Sequence, residues 1–269
     1  SGVTSGRPKK ARASWGVHSI FTVTFMVRLP FSRPVHFRIM ETSMTGRDIT
    51  IAGPDGPFSA YAAGAGPAVV VIQEIFGVNA VMRGICDDLA AQGFLAVCPD
   101  LFWRIEPGIQ LTDQTEEDWK RAFELFGAFD PDKGVDDIAA TLTTARDAGN
   151  GKAGVIGYCL GGFLAYLSAC RTASEASVGY YGVKIHEHLG EADNIRHPLM
   201  LHVAGQDEFV PPDAQKQIIE GLKDHPKVTI HTYPERDHAF ARKGGAHYHA
   251  EDAQTADSRT IDFLRRHLA

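Results

Sequence analysis

The sequence predicts an α/β fold, with a mostly parallel central sheet and helices on both of its faces. From about residue 48 onward, short apolar runs of strand length alternate with longer stretches in which apolar residues have helical spacing. The run Ala68–Ile72 is continuously apolar, which is typical of a strand buried on both faces. Of the 269 residues, 44% are hydrophobic and 22% are charged, which is enough apolar material for a sizeable core. We therefore expect a single domain over residues 45–269.

The predicted elements follow one another in a simple order. Residues 48–52 and 58–61 flank a turn rich in glycine and proline, which predicts an N-terminal hairpin. The first predicted helix carries Met82, Ile85 and Leu89 at helical spacing. Further strands are expected at 68–72, 94–98, 153–156, 177–181, 199–203 and 228–232, and helices at 79–92, 115–127, 133–148, 160–171, 212–223 and 251–267. In such a sheet, catalytic residues collect in the loops at the carboxyl ends of the strands.

Residues 1–44 differ from the rest of the chain and are expected to lie outside the fold. Residues 1–40 hold seven of the 27 basic residues and none of the 33 acidic ones, so the remainder carries a net charge of −13. Such an acidic body disfavours a nucleic-acid surface. An organellar transit peptide would share the acid-free composition of the leader, but Met40 and Met44 precede the first strand, which favours sequence upstream of the natural start.

Two further features predict a cytoplasmic protein without a membrane segment. The apolar run at 19–27 is too short to span a bilayer and is followed by no small-residue cleavage site. The four cysteines are scattered and form no C-x-x-C pair, which indicates a reducing compartment.

The most specific local motif is Gly-Tyr-Cys-Leu-Gly-Gly at Gly157–Gly162, between a predicted buried strand and an apolar helix. It matches the G-x-S-x-G nucleophile elbow with cysteine in place of serine. Its glycines permit a tight turn that raises Cys159 above the sheet, and the adjoining helix N-terminus favours a thiolate. On this motif alone, a buried structural cysteine is an equally good interpretation.

A nucleophilic cysteine needs a base and an acid that orients the base. In this fold they follow the nucleophile in the order acid, then histidine. Asp207 lies in the loop after the predicted strand at 199–203, and His238 lies in the loop after the strand at 228–232. Three suitable residue types at three strand ends therefore predict a Cys159, His238 and Asp207 triad.

Several longer stretches extend this pattern. They are Gln73–Ala80, Ala96–Leu101, Gly157–Gly162, Gly179–Gly182, Gly205–Asp207 and His238–Arg242. Together they make the chain, from residue 48 onward, similar to the dienelactone hydrolase family of α/β-hydrolases. The resemblance implies an α/β-hydrolase fold and a Cys-His-Asp hydrolase that opens enol-lactones, notably dienelactone to maleylacetate, without a metal or organic cofactor. Family resemblance by itself leaves the substrate open.

The resemblance also implies further site residues. Glu74 would lie near Cys159 and partner the resting thiol, since a neighbouring carboxylate disfavours a second negative charge. The backbone N–H groups of Ile75 and Leu160 would form the oxyanion hole. Arg242 would bind a substrate carboxylate and could also pair with Glu74.

The chain departs from the family pattern at a second arginine. Trp119 occupies that position, and Arg121 could substitute only if the helix shifted by one or two residues. Without that substitution, carboxylate recognition is weaker and the natural substrate can differ. Tyr158, Phe123 and Phe126 are candidate pocket walls, although aromatic residues at such positions often simply pack in a core.

These features predict a cysteine hydrolase of enol-lactones or activated esters that acts on small molecules as a monomer or weak homodimer. The missing arginine keeps a broad carboxylesterase, or a hydrolase of another lactone, as the alternative. A non-catalytic binding protein of the same fold is disfavoured by the intact triad. The histidines near residue 248 lack the spacing of a metal site, and no phosphate-binding or dinucleotide motif is present.

Overall fold

The computed structural model describes residues 46–269, so the predicted extension at 1–44 lies outside the described residues. The strands in this range are β1 (Arg47–Gly53), β2 (Gly56–Gly64), β3 (Ala68–Ile72), β4 (Leu95–Pro99), β5 (Ala153–Tyr158), β6 (Ser177–Tyr180), β7 (Leu199–Ala204) and β8 (Val228–Tyr233). They form one sheet in the order β1-β2-β4-β3-β5-β6-β7-β8.

The helices connect and cover these strands. They are α1 (Ala80–Ala91), α2 (Glu116–Ala128), α3 (Pro131–Ala148), α4 (Leu160–Arg171), α5 (Pro212–Leu222) and α6 (Ala250–Leu268). A 3-10 segment at Ile185–Asn194, which the apolar spacing did not predict, links β6 to β7. Within the described residues, every helix is too short or too polar to cross a bilayer.

The sheet is mixed at one end and parallel over most of its width. β1 and β2 form the predicted hairpin, and β2 pairs antiparallel with β4. All other neighbouring strands are parallel, and the residues of β3, β4 and β5 are buried throughout. The predicted α/β class is therefore confirmed. Because these strands run in one direction, the loops after β3, β5, β7 and β8 meet at the same edge of the sheet.

Alternate residues of β5 face different helices, and this alternation decides which side chains reach that edge. Gly157 faces α4, since a Cβ atom there would overlap the carbonyl group of Gly161. Gly154 faces α6, where a Cβ atom would contact Leu268. Tyr158 has the same parity as Gly154 and lies in a cavity lined by residues of α1 and α6.

Candidate active site

Cys159 stands at the turn between β5 and α4. Its backbone has φ 56° and ψ −113°, a region that L-residues rarely occupy and that costs of order 1–3 kcal/mol. Small neighbours make this turn possible, because a Cβ atom on Gly161 would overlap the carbonyl oxygen of Ile72. The side chain of Cys159 is buried but lines a cavity at the carboxyl edge of the sheet. The geometry is that of a nucleophile elbow.

Asp207 and His238 form a fixed pair beside this turn. The Oδ2 atom of Asp207 lies 2.8 Å from the Nδ1 atom of His238. The Oδ1 atom of Asp207 accepts the backbone N–H groups of Phe209 at 2.9 Å and Val210 at 3.2 Å. Both carboxylate oxygens are thus engaged, which fixes the imidazole ring and leaves its Nε2 atom for other partners.

The Nε2 atom of His238 is buried and has no hydrogen-bond partner within the described residues. It belongs to the same cavity wall as Cys159. Burial alone would lower the pKa of His238, but Cys159 and the hydrogen bond to Asp207 raise the pKa to about 10. The surroundings therefore favour the protonated form of His238.

Glu74 follows β3 and is held by Arg242, which follows β8. The Nε and Nη2 atoms of Arg242 donate to the two oxygens of Glu74 at 2.9 and 3.1 Å. The Nη1 atom donates to Asp113 at 2.7 Å. Burial alone would lower the pKa of Arg242, but Glu74 and then Asp113 outweigh it and raise that pKa. Glu74 makes no hydrogen bond to Cys159 in the described part of the chain, so its carboxylate partners Arg242 here.

The two predicted oxyanion-hole residues are neighbours of Cys159, Leu160 in the chain and Ile75 in the cavity lining. Leu160 is the first residue of α4, where N–H groups lack intrahelical partners. Ile75 lies in the loop after β3 and lines the cavity. Neither N–H group donates to a backbone carbonyl within residues 46–269. Both N–H groups thus lack a backbone acceptor, and Ile75 shares the cavity lining with Cys159.

The cavity over Cys159 is small and mostly apolar. Its volume is about 40 Å³. Phe123, a predicted wall residue, lines it together with Phe126 and Trp119 from α2. The remaining lining residues are Ile75, Phe76, Val183, Phe209, His238 and Arg242. Sequence reasoning missed Phe76, Val183 and Phe209, because their positions in loops carry no periodic signal.

Two predicted substrate-binding residues lie elsewhere. Tyr158 packs against Tyr180, with ring centroids 4.7 Å apart, and lines the cavity on the α1 and α6 side of the sheet. Arg121 is partly exposed and pairs with Glu106 at 2.5 Å and Glu124 at 2.9 Å. Neither residue lines the cavity over Cys159. Arg121 therefore does not stand in for the second arginine in this conformation.

Tyr181 is a site neighbour that the sequence reasoning did not single out. Its ring meets the imidazole of His238 edge-on, with centroids 5.0 Å apart, and its φ of 38° is unusual for a tyrosine. Its hydroxyl is buried without a hydrogen-bond partner in the described range. Burial, followed by the charge of Glu74, raises the pKa of Tyr181 well above its ordinary value. The only sequence feature that could have indicated Tyr181 is its position in Gly179–Gly182, one of the stretches that carry the family resemblance.

The strand order, the turn at Cys159 and the acid and histidine after β7 and β8 define an α/β-hydrolase fold. Residues 55–268 match the model of the dienelactone hydrolase family, and the chain belongs to that family. It is a hydrolase of this family, with a dienelactone hydrolase-like function.

Individual relatives agree with this assignment. A protein of Azospirillum brasilense is 50% identical over 235 residues, which cover 82% of this chain and 99% of that protein. The carboxymethylenebutenolidase of Pseudomonas putida is 44% identical over 200 residues, covering 74% and 85% of the two chains. A crystal structure from Klebsiella pneumoniae subsp. pneumoniae MGH 78578 superimposes with a TM-score of 0.74 at 26% identity, covering 82% of this chain and 98% of that one.

Proposed function

We propose that this protein opens enol-lactones and cleaves activated esters through a Cys159, His238 and Asp207 triad. The observation that carries the proposal is the 2.8 Å contact that fixes His238 Nδ1 to Asp207, which leaves the buried Nε2 atom in the cavity wall that also contains Cys159. A base oriented in this way beside a cysteine at an elbow is suited to nucleophilic acyl transfer.

The proposed reaction has two halves. The Cys159 thiolate attacks the lactone carbonyl carbon, and the N–H groups of Ile75 and Leu160 bind the oxyanion that forms. The C–O bond to the enol oxygen then breaks, and His238 donates its Nε2 proton to that oxygen. The result is a thioester on Cys159 and an opened chain.

Water completes the cycle. His238 Nε2 removes a proton from water, which attacks the thioester carbonyl, and the Cys159 thiolate leaves as the acid product forms. A thiolate leaves a tetrahedral intermediate more readily than an alkoxide does, so ordinary alkyl esters tend to return to substrate. An enolate is a better leaving group, which is the chemical reason that a cysteine nucleophile suits an enol-lactone.

The substrate to test first follows from the Pseudomonas putida relative, which is named for carboxymethylenebutenolide, the dienelactone that opens to maleylacetate. Arg242 lies at the cavity wall and offers a guanidinium for the substrate carboxylate. A broader carboxylesterase is the second candidate. The apolar walls from Phe76, Trp119, Phe123 and Phe209, and the absence of Arg121 from this lining, favour it.

The test is kcat/KM for cis- and trans-dienelactone beside p-nitrophenyl acetate. We expect Cys159→Ala to lower turnover of all three by at least about 10⁴-fold, because the nucleophile is lost. Cys170→Ala is the matched control, since Cys170 is a buried cysteine at the other end of α4. It should leave turnover within about twofold. Near-normal activity of a folded Cys159→Ala variant would rule out the mechanism, and preference for the neutral ester would favour the carboxylesterase.

A further inference from the structure

We propose that the cavity between α1 and α6 is a second ligand site, which takes a small organic ammonium ion with an apolar body. The cavity has a volume of about 690 Å³. This lies within the range of small-molecule sites, which is about 300–1,000 Å³. The cavity shares no lining residue with the cavity over Cys159, so the inference goes beyond the proposed function and does not depend on it.

The floor and walls of this cavity are mainly aromatic and apolar. The rings of Tyr158 and Tyr180 form the floor, with centroids 4.7 Å apart and planes inclined by 30°. Gly84 on α1 leaves the space above them open, because a Cβ atom there would meet nothing within 4 Å. The aliphatic lining residues are Val81, Ile85, Leu89, Ile156 and Ile261. Such walls suit the hydrocarbon part of a ligand.

The hydroxyl group of Tyr158 is a polar group of the floor without a protein partner. Tyr158 is only 5% exposed, and its hydroxyl makes no hydrogen bond to the described residues. The hydroxyl of its neighbour Tyr180, by contrast, lies 3.0 Å from Asp257 Oδ1 and 2.7 Å from Thr260 Oγ1. Burial, followed by the charge of Asp257, raises the pKa of Tyr158 well above its ordinary value. The Tyr158 hydroxyl is therefore protonated and left for a group bound in the cavity.

Asp257 supplies the charge that favours an ammonium ion. Its Oδ1 atom accepts from Tyr180, but this half-buried carboxylate forms no ion pair within residues 46–269. The other charged lining residues of the described chain are Asp88 and Lys243, which pair with each other and are 63% and 64% exposed. The lining therefore carries a net charge of −1. A carboxylate beside aromatic rings attracts an organic cation through charge, hydrogen bonding and cation–π contact.

Other classes of ligand fit this lining less well. An anion would meet two carboxylates and one ammonium group, and Asp88 already engages that ammonium group of Lys243. Among the described residues, no group of three or more His, Cys, Asp or Glu side chains could hold a metal ion. Burial raises the pKa of Asp257, and a bound cation would offset this cost of keeping the carboxylate charged.

The test compares tryptamine with tryptophol, which share an indole ring and differ in carrying an ammonium or a hydroxyl group. Calorimetric titration near neutral pH measures the Kd of each compound. We expect tryptamine to bind with a Kd of about 1 mM or below, and about tenfold more tightly than tryptophol. Failure to observe saturable binding of tryptamine up to about 10 mM would overturn the proposal, and equal binding of the two compounds would overturn the assignment to ammonium ions.

Two variants assign the binding to this cavity. Asp257→Asn keeps an oxygen that can accept from Tyr180, and it should weaken binding of tryptamine about tenfold and binding of tryptophol by no more than about twofold. Gly84→Leu extends a side chain into the open space and should weaken both compounds at least about tenfold. Leucine is a better helix former than glycine, which favours retention of the fold.

Asp262→Asn is the matched control, because Asp262 is an exposed acid on the same helix that makes no ion pair in the described part of the chain and does not line this cavity. It changes the net charge by the same amount and should leave both affinities within about twofold. Unchanged binding of tryptamine to Asp257→Asn, or an equal loss in Asp262→Asn, would overturn the role of Asp257.

Titration of Cys159→Ala keeps this inference separate from the proposed mechanism. The variant should bind tryptamine as tightly as wild type does, because Cys159 does not line the cavity between α1 and α6. This outcome does not depend on whether Cys159 is the nucleophile. Binding of tryptamine that is lost in Cys159→Ala and retained in Gly84→Leu would place the compound over Cys159 and overturn the second site.

Discussion

Two buried aspartates, Asp137 and Asp207, each bind a basic side chain. The nitrogens of Arg104, the partner of Asp137, are all hydrogen-bonded, whereas one ring nitrogen of His238, the partner of Asp207, is not. Asp137 on α3 accepts hydrogen bonds from both terminal nitrogens of Arg104 and from Trp103 Nε1 at 2.9 Å. Arg104 also binds Asp55 through Nε at 3.0 Å. Asp207 binds His238 only through Nδ1 and leaves Nε2 without a partner in the described part of the chain.

The difference teaches how the same kind of pair serves two purposes. The Asp137 cluster ties the loop after β4 to α3 and the β1–β2 turn, and its buried carboxylate is fully hydrogen-bonded, so its contribution is to hold these elements together. The Asp207 pair is held equally firmly at one end but leaves a buried nitrogen beside a thiol. An unsatisfied buried group is costly, and such groups concentrate where chemistry takes place.

The largest expected effect comes from replacing His238, whose Nε2 atom has no hydrogen-bond partner in the described part of the chain. His238→Gln should lower kcat/KM by at least about 10⁴-fold, because the proposed general base is lost. Urea unfolding should show a folded variant. His247→Gln, at an exposed histidine in the same connection before α6, is the control and should retain activity within about twofold. If a folded His238→Gln variant kept a tenth of the wild-type activity, His238 would not be the general base that the comparison with Asp137 singles out.

The next effect concerns the Asp137 cluster, in which the buried carboxylate is fully hydrogen-bonded. Asp137→Ala should lower the free energy of unfolding by about 1–3 kcal/mol, since the partly exposed donors of Arg104 and Trp103 lose their buried acceptor. Activity of the folded fraction should change by no more than about threefold, because Asp137 does not line the cavity over Cys159. Urea titrations of wild type and Asp137→Ala measure the free energy of unfolding. A loss under about 1 kcal/mol would show that water satisfies the donors of Arg104 and Trp103 in place of Asp137.

A smaller effect appears in the pH dependence of stability. The pKa of His238 is raised from 6.5 to about 10 on folding, so the folded state binds more protons than the unfolded state between these values. The contribution of His238 is complete below pH 6.5 and is lost as the pH rises toward 10, with a slope of up to about 1.4 kcal/mol per pH unit.

The quantity to measure is the pKa of His238 itself, from an NMR titration of its imidazole in wild type and in Cys159→Ala. Because Cys159 is the first of the groups that raise this pKa, the pKa of His238 should be lower in the variant. Equal pKa values would mean that Cys159 does not act on His238 in the folded protein.

The sequence by itself determined the fold class and the order of the catalytic candidates along the chain. The continuous apolar run Ala68–Ile72 predicted a buried strand, and the sheet contains each of the predicted strands. The turn at Cys159 was also predictable, because glycines on either side of a cysteine between a strand and a helix permit one tight geometry. These are local properties, so spacing along the chain is enough to express them.

Only the tertiary structure decided which side chains share the cavity. Tyr158 adjoins Cys159 in sequence, yet the alternation of β5 places it on the other side of the sheet. Asp113 lies 129 positions before Arg242, in a connection without periodicity, and reaches it only because the loops after β4 and β8 converge. Arg121 carries the right charge for a substrate but binds Glu106 and Glu124 instead. Long-range packing fixes such contacts, and the residue types alone leave several pairings open.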